Sequence, residues 1–331
     1  MKDKNKNLND AKRIKNDEFY TQYEDIEKEI GVYLENNPNL FKGKVVYCNC
    51  DNPYQSNFFK FFVVNFNKLG IKQLIATNYN PAYKFIVNEV RDVKVEMSLD
   101  EIVKKLQLDK NNKFEILKDG DFRSNECVEL LSQSDIVITN PPFSLFREFI
   151  KLLFDYDKKF LILGSINAIT YKDIFPLIRS NKMWLGVNNG AKSYYVPGRG
   201  YVKMGNTCWF TNLEHGIRNK PLQLMTMEEN LQYSRHKTIR EKGYRMYDNY
   251  KAVEVPYVDA IPSDYDGIMG VPVSFLNKYN PNQFEIVGID YDVKEGRLPK
   301  LINPSWKGKL DRAYLNGKRL YTRIFIKRRF V

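Results

Sequence analysis

The tetrapeptide Asn140-Pro141-Pro142-Phe143 carries the residue types in this sequence best suited to chemistry. It offers a side-chain amide, the carbonyl of a residue with no N–H of its own, and a flat apolar ring. Two acceptors and a ring face suffice to hold an exocyclic amino group and cover the ring that bears it. The apolar run Asp135-Ile136-Val137-Ile138-Thr139 precedes the tetrapeptide, and Ser144-Leu145-Phe146-Arg147-Glu148-Phe149-Ile150, with helical spacing, follows it. Each proline fixes its own φ, and the second pushes the residue before it out of the helical region. A strand therefore ends in a stiff corner ahead of a helix, at the strand end where open α/β sheets bind ligands. Without a ligand, the same corner is simply a rigid turn.

Other reactive constellations are missing. The four cysteines, Cys48, Cys50, Cys127 and Cys208, are too few and too scattered for a disulfide framework. With His215 and His236 the only histidines, no Cys/His group has zinc-finger spacing, so no metal is expected. Reduced thiols in a cytoplasmic protein are the expectation.

The elements that must position the corner alternate. Leu40–Cys50 reads as a strand, Asn57–Leu69 as a buried, aromatic-rich helix closed by Gly70, and Gln73–Thr77 as a second strand. Residues 87–117 are charged and ambiguous, with a helix over Leu99–Leu106 and a short strand over Phe114–Leu117. Helix Glu126–Ser132, the strand at 135–139, helix Ser144–Phe154 and strand Lys159–Gly164 follow. Helix Ile174–Arg179 and strands Met183–Val187 and Thr207–Phe210 complete the series. Strands and helices in alternation predict an α/β fold with a doubly wound, mainly parallel sheet. After Leu213 that rhythm stops, and only Tyr321–Arg329 reads as a further strand. The expected organisation is a flexible basic arm over 1–14, a catalytic domain over 15–212 and an appended target-recognition region over 213–331.

Fifty-two Lys plus Arg against forty Asp plus Glu give +12 over 331 residues, a charge that favours polyanionic partners. The 22 tyrosines and 21 phenylalanines suit base stacking as well as a core. No apolar run approaches the roughly 18–20 residues that span a bilayer, and no apolar stretch follows the charged amino terminus. Neither a membrane anchor nor a signal peptide is expected.

The tetrapeptide after a strand resembles the catalytic motif of the N6-adenine DNA methyltransferases, and the resemblance continues elsewhere. Lys15-Asn16-Asp17-Glu18-Phe19-Tyr20-Thr21 is similar to the segment that closes over the methionine end of S-adenosylmethionine. Asp51-Asn52-Pro53, Thr77-Asn78-Tyr79-Asn80-Pro81 and Gly120-Asp121-Phe122-Arg123-Ser124 follow three successive strands in the family's order. The series is most similar to the EcoRI-type adenine-specific family, specifically over 15–212 and more loosely through Tyr265–Pro272 to the basic end. Such enzymes usually carry a Gly-x-Gly-type loop after the first strand; Cys50-Asp51-Asn52-Pro53 stands there instead.

The resemblance implies a class I, Rossmann-like fold and methyl transfer from S-adenosylmethionine to adenine N6 in double-stranded DNA. Asn140 and the Pro141 carbonyl would accept the two amino hydrogens, Pro142 would stiffen the corner, and Phe143 would stack on a flipped-out base. Phe19, Tyr20 and Thr21 would close over the cofactor, although they also suit a hydrophobic staple ahead of a helix near Glu24. Asp51, with Asn52 beside it, is a candidate for the methionyl ammonium or equally a helix-capping aspartate. Thr77 and Asn78 replace the usual acidic ribose contact. Asp121 would accept from the cofactor's adenine amino group with Phe122 beside the ring, or Asp121 is a turn residue after Gly120.

Two basic stretches are candidates for DNA contact. Lys192, Tyr194, Tyr195, Arg199 and Lys203 lie in a Gly-, Tyr- and Lys/Arg-rich segment, and Arg235, Lys237 and Arg240 in a second run. For any one of them a solvated basic face is the alternative. A restriction-modification or mobile-element methylase, with a possible cognate endonuclease, is the leading reading. An RNA adenine or protein glutamine methyltransferase keeps the fold, but glutamine enzymes typically carry Tyr where Phe143 stands. A catalytically silent nucleic-acid-binding protein is the reading from another class.

Overall fold

The computed structural model describes residues 20–196 and 200–330. The expected arm over 1–14, Phe19 and Arg199 lie outside them. The chain divides into two compact units: residues through Ala168 with Trp184–His215, and Ile169–Met183 with Gly216–Val331. The chain leaves the first unit after His215. Residues 169–183, expected in the catalytic region, cluster instead with the second unit.

The first unit is built on a ten-stranded sheet. Its strands are β1 (Tyr20–Thr21), β2 (Val45–Cys48), β3 (Gln73–Asn78), β4 (Tyr83–Val87), β5 (Lys113–Ile116), β6 (Ile136–Thr139), β7 (Lys159–Ser165), β8 (Trp184–Leu185), β9 (Gly190–Val196) and β10 (Gly200–Thr211). They lie in the order β1-β9-β10-β7-β6-β2-β3-β4-β5, with β8 paired to β10. The central strands β7, β6, β2 and β3 are parallel. The remaining described pairings of this sheet are antiparallel.

The expected mainly parallel sheet is thus corrected to a mixed one with a parallel centre. For β3 with β4 and β9 with β10 the reason is connection length. A parallel crossover needs a dozen or more residues, and the links 79–82 and 197–199 are far too short for one. β4 escaped the sequence reading because its alternation sits in a charged neighbourhood, with Lys84 between the buried Tyr83 and Phe85.

β2 and β6 are buried along their whole length, as strands covered on both faces must be. On one face Val46, Cys48, Leu74, Ala76, Ile136 and Ile138 join a core with helices Tyr23–Asn36, Asn57–Val64 and Leu99–Gln107. On the other, helix Phe146–Asp155 packs Phe146 on Phe210 and Phe154 on Phe160, and helix Asn125–Gln133 lies against β2. The fold is doubly wound in this sense. The Ser56 hydroxyl caps helix Asn57–Val64 by accepting from the Phe58 and Phe59 amides. The expected helix 57–69 breaks at Asn65 and resumes for one turn over Phe66–Leu69, which Gly70 ends at φ +64°.

In the second unit β11 (Arg245–Met246), β12 (Val253–Glu254), β13 (Met269–Pro272), β14 (Phe284–Ile289) and β17 (Arg323–Arg328) form a five-stranded sheet. A separate ribbon pairs β15 (Tyr314–Leu315) with β16 (Lys318–Arg319). Tyr247, Tyr250 and Phe325 pack edge to face in its core. Gly270 is dictated by that packing, because a Cβ there would stand 2.0 Å from the Tyr247 hydroxyl. Of these strands the sequence announced only β17. The others are short, and Asn, Pro and charged residues interrupt them.

Candidate active site

The order of the parallel strands places the site. β3 pairs with one edge of β2 and β6 with the other, so the direction of winding reverses between β2 and β6. Crevices for ligands open at the carboxyl ends of strands at such a switch point. The loop after β2 carries Asp51, and the loop after β6 carries Asn140.

The corner forms as its sequence demands. Asn140 is half-buried and Pro141 buried; Pro142, at φ −55° and ψ 122°, is extended. Phe143 opens a 3-10 turn, Phe143–Leu145, and the α-helix begins at Phe146, two residues later than expected. The Leu145 amide donates to the Pro142 carbonyl at 3.0 Å. Phe143 is half-buried against the main core, which fixes its ring while leaving part of it accessible. The corner thus brings together the Asn140 amide, the Pro141 carbonyl and the Phe143 ring at a strand end held by buried neighbours.

The loop after β2 turns without glycine. Cys50 takes φ +69°, in the left-handed region that costs a residue with a Cβ about a kcal/mol or more. Asp51 follows and is buried. Its amide donates to the Thr77 carbonyl at 2.9 Å, and the Ser56 hydroxyl donates to its Oδ1 at 2.6 Å. Its Oδ2 lies in hydrogen-bond contact with the Thr139 hydroxyl, which also contacts the Asn49 carbonyl. Burial pushes the Asp51 carboxyl up to about 7, against the opposing effect of the Ser56 and Thr139 hydroxyls. Asp51 is therefore neither a simple cap nor an exposed carboxylate.

Several expected cofactor residues spend their side chains on the protein. The Asn52 Oδ1 accepts from the Tyr54 amide at 3.0 Å and from the Tyr83 hydroxyl at 2.5 Å, which shapes the turn. The Thr77 hydroxyl points inward between Tyr47 and Asn49, 3.1 Å from each. Asn78 Nδ2 donates to the Pro81 carbonyl at 2.9 Å. The side chains of Thr77 and Asn78, expected at the ribose, and of Asn52, expected beside Asp51, thus bond to the protein itself.

Gly120 brings the third loop hard against the second, since a Cβ there would stand 2.1 Å from the Asn78 carbonyl oxygen. Asp121 accepts from the Arg123 amide and Nε at 2.9 Å and from its terminal nitrogen at 2.7 Å. Arg123 holds that carboxyl below the usual range, and its other terminal nitrogen donates to Glu148 at 2.6 Å. A ligand at Asp121 must share it with Arg123. Phe122 is buried edge-on against Phe149, with the Arg123 guanidinium 5.2 Å from its ring centre.

Tyr20 and Thr21 form β1, paired with Tyr195 and Tyr194 of β9. The Thr21 carbonyl accepts from Asn57 Nδ2 at 2.7 Å, so this segment lies at the start of the helix that Ser56 caps. The Thr21 hydroxyl and Asn49 Nδ2 are buried with no hydrogen-bond partner among the described residues. Buried polar atoms left so are rare, and a polar ligand is one way to satisfy them. With the Asp51 carboxyl close by, the loops fit a ligand that carries an amino-acid group and positive charge, as S-adenosylmethionine does. Asn49, Ser56, Asn57, Arg123 and Thr139 were not singled out in the sequence. Only Ser56, as a helix cap ahead of an aromatic run, left a readable signal there.

The basic segment resolves by strand alternation. Lys192, Tyr194 and Val196 face inward on β9, while Tyr195 faces out. Lys192 is 7% exposed and pairs with Asp25 at 3.3 Å, and Tyr194 is fully buried. Both are corrected from DNA contacts to core residues, because an inward-facing cation cannot neutralise phosphate. Tyr195 (43% exposed) and Tyr201 (73%) are cross-strand neighbours with ring centres 5.7 Å apart, and Lys203 is exposed on the same ribbon. In the second unit Arg235, Lys237 and Arg240 are exposed. Arg235 meets Asp259 at 2.7 Å, Lys237 meets Glu241 at 3.4 Å, and Arg240 donates to the Ser234 carbonyl. No helix among the described residues is long and apolar enough to cross a membrane.

Comparison with known proteins agrees with this geometry. The family model described as adenine-specific methyltransferase EcoRI matches residues 7–329. The type II methyltransferase M.EcoRI of Escherichia coli is 42% identical, over 98% of this chain and 96% of its own length. The type II methyltransferase M.MpnI of Mycoplasma pneumoniae is 37% identical, over 97% and 98% respectively. M.MgeORF184P of Mycoplasma genitalium, of the same description, is 36% identical over 97% and 98%. No solved structure matches. The chain belongs to the EcoRI-type adenine-specific DNA methyltransferase family, and its activity is transfer of a methyl group from S-adenosylmethionine to adenine N6 in DNA.

Proposed function

We propose that the first unit is the class I, Rossmann-like catalytic domain and the second a target-recognition region. The enzyme would act on an adenine rotated out of the duplex into the crevice between the β2 and β6 loops. An N6 atom inside stacked, paired DNA cannot reach a donor, which is why the base must leave the helix. The observation that carries this reading is the convergence of the Asn140 corner and the Asp51 loop at a switch point, joined through Thr139.

Asn140 Oδ1 and the Pro141 carbonyl each accept one hydrogen of the adenine amino group. Its lone pair is delocalised into the ring, and acceptors on both hydrogens favour a more pyramidal nitrogen and receive its developing positive charge. Pro142 holds the carbonyl in place, and Phe143 stacks on the extruded base. S-adenosylmethionine supplies a methyl group already activated on a sulfonium, so the chain needs no covalent nucleophile. Asp51 meets the methionyl ammonium, Tyr20 and Thr21 cover that end, and Asp121 with Phe122 takes the adenine end.

Tyr195, Tyr201 and Lys203 from the ribbon, Arg199 of the same sequence segment, and Arg235, Lys237 and Arg240 from the second unit, contact the duplex, the cations mainly at phosphates. A restriction-modification setting with a cognate endonuclease, in the cytoplasm where cellular DNA is methylated, is the role we assign. Incubation with labelled S-adenosylmethionine and duplex DNA, RNA or protein tests the whole reading. N6-methyladenine in duplex DNA is the expected product, and label in RNA or protein alone would overturn it.

A further inference from the structure

Thr139 is the last residue of β6 and immediately precedes Asn140. Its side chain is fully buried, and its single hydroxyl faces two acceptors, the Asn49 carbonyl and Asp51 Oδ2. One hydroxyl proton cannot serve both. The Ser56 hydroxyl already donates to Asp51 Oδ1 while accepting from Phe58 and Phe59. If Thr139 donates to Asn49, Asp51 satisfies the cluster only by carrying a proton on Oδ2 and donating it to the Thr139 oxygen. If Asp51 is ionised, the Thr139 proton must turn to it and leave Asn49.

We propose that Thr139 is a positioning residue whose hydroxyl is shared between Asn49 and Asp51, so that binding of the cationic cofactor drives a proton from Asp51 to solvent and turns the Thr139 hydroxyl onto the carboxylate. The covalent change is the loss of one O–H bond at Asp51, with the proton going to water. This rests on the reading of Asp51 as the partner of the cofactor's ammonium.

The surroundings of Asp51 suit such an exchange. Cys48 and Cys50 face it from its own strand and loop, Thr77 from β3, Ser56 from the start of helix Asn57–Val64, and Thr139 from β6. Burial holds both thiols protonated, and the Asp121 carboxylate acts on Cys50. Burial raises the Asp51 carboxyl to about 7, which leaves it poised to ionise when a cation arrives.

The test is calorimetric titration of S-adenosylmethionine into the DNA-free protein, from pH 6 to 9, in buffers of different ionisation enthalpy. For the unaltered chain the expected result is release of about one proton at the acid end, with affinity falling up to about tenfold per pH unit below about 7. Thr139→Val, which keeps shape and removes the hydroxyl, should move both midpoints to higher pH. It should bind roughly tenfold more weakly near neutrality and recover toward pH 9. Thr139→Ser should restore the original profile. Asp51→Asn, whose amide mimics the protonated acid, should bind weakly at every pH with no proton release, a result that stands even if Thr139→Val fails to fold.

An unchanged midpoint in Thr139→Val, or an equal shift in Thr139→Ser, would overturn the role of the hydroxyl. Undiminished affinity in Asp51→Asn would instead remove Asp51 from the cofactor site. The two failures are therefore distinguishable.

Discussion

Lys192 and Asp25 form an ion pair inside the first unit, Nζ to Oδ1 at 3.3 Å, that ties β9 to helix Tyr23–Asn36. The Lys192 cation is taken out of water and held by its partner, whereas the Asp25 carboxylate keeps part of its surface in solvent. Lys192→Met should therefore lower the unfolding free energy by roughly 1–3 kcal/mol in denaturant melts. The salt dependence of DNA binding should not change. A flattened slope in a fully folded variant would return Lys192 to the DNA surface.

The opposite pattern is expected of the exposed cations. Replacing Lys203, Arg235, Lys237 and Arg240 together by Ala should leave the melt within about 1 kcal/mol of the parent, since surface pairs contribute little. It should weaken specific and random duplexes alike. Each lost phosphate contact removes about 0.9 from the slope of log K against log salt. Loss confined to the specific site would make one of these residues a base reader.

Binding and chemistry should separate at the two loops. Asn140→Ala should abolish methylation while S-adenosylmethionine affinity, measured by titration, stays within about threefold, because Asn140 is assigned to the target amine and not to the cofactor. Asp121→Ala should weaken cofactor binding first. Near-normal turnover in Asn140→Ala would end its catalytic assignment.

Asp51 and Asp290 are buried carboxyls raised to about 7, each chiefly by burial. A group whose folded pKa lies above its unfolded one contributes stability that is complete below the unfolded pKa. That stability is lost as pH rises toward the folded pKa. Stability should therefore fall between about pH 4 and 7, by up to about 1.4 kcal/mol per pH unit for each group, then level. Asp51→Asn, which keeps the hydrogen-bonding pattern of the neutral acid, should flatten part of this fall in melts followed across that range. An undiminished fall would show that Asp51 is ionised in the free protein.

The sequence alone determined the strand before Asn140, the Pro-Pro corner, the aromatic helix after Ser56 with its Gly70 stop, and the family. These features are local, or depend on order along the chain: dihedral limits of proline, helical spacing of apolar residues, and a series of motifs each at a strand end. Tertiary structure decided what depends on partners distant in sequence. Lys192 reads as a surface cation until strand alternation turns it toward Asp25, 167 residues away. Thr139 and Asp51 meet across 88 residues only because β6 pairs with β2. Thr77 looked available for a ligand, yet parallel pairing of β3 with β2 turns its hydroxyl between Tyr47 and Asn49. Burial and hydrogen-bond partnership belong to the packed sheet, so no spacing rule along the chain could have supplied them.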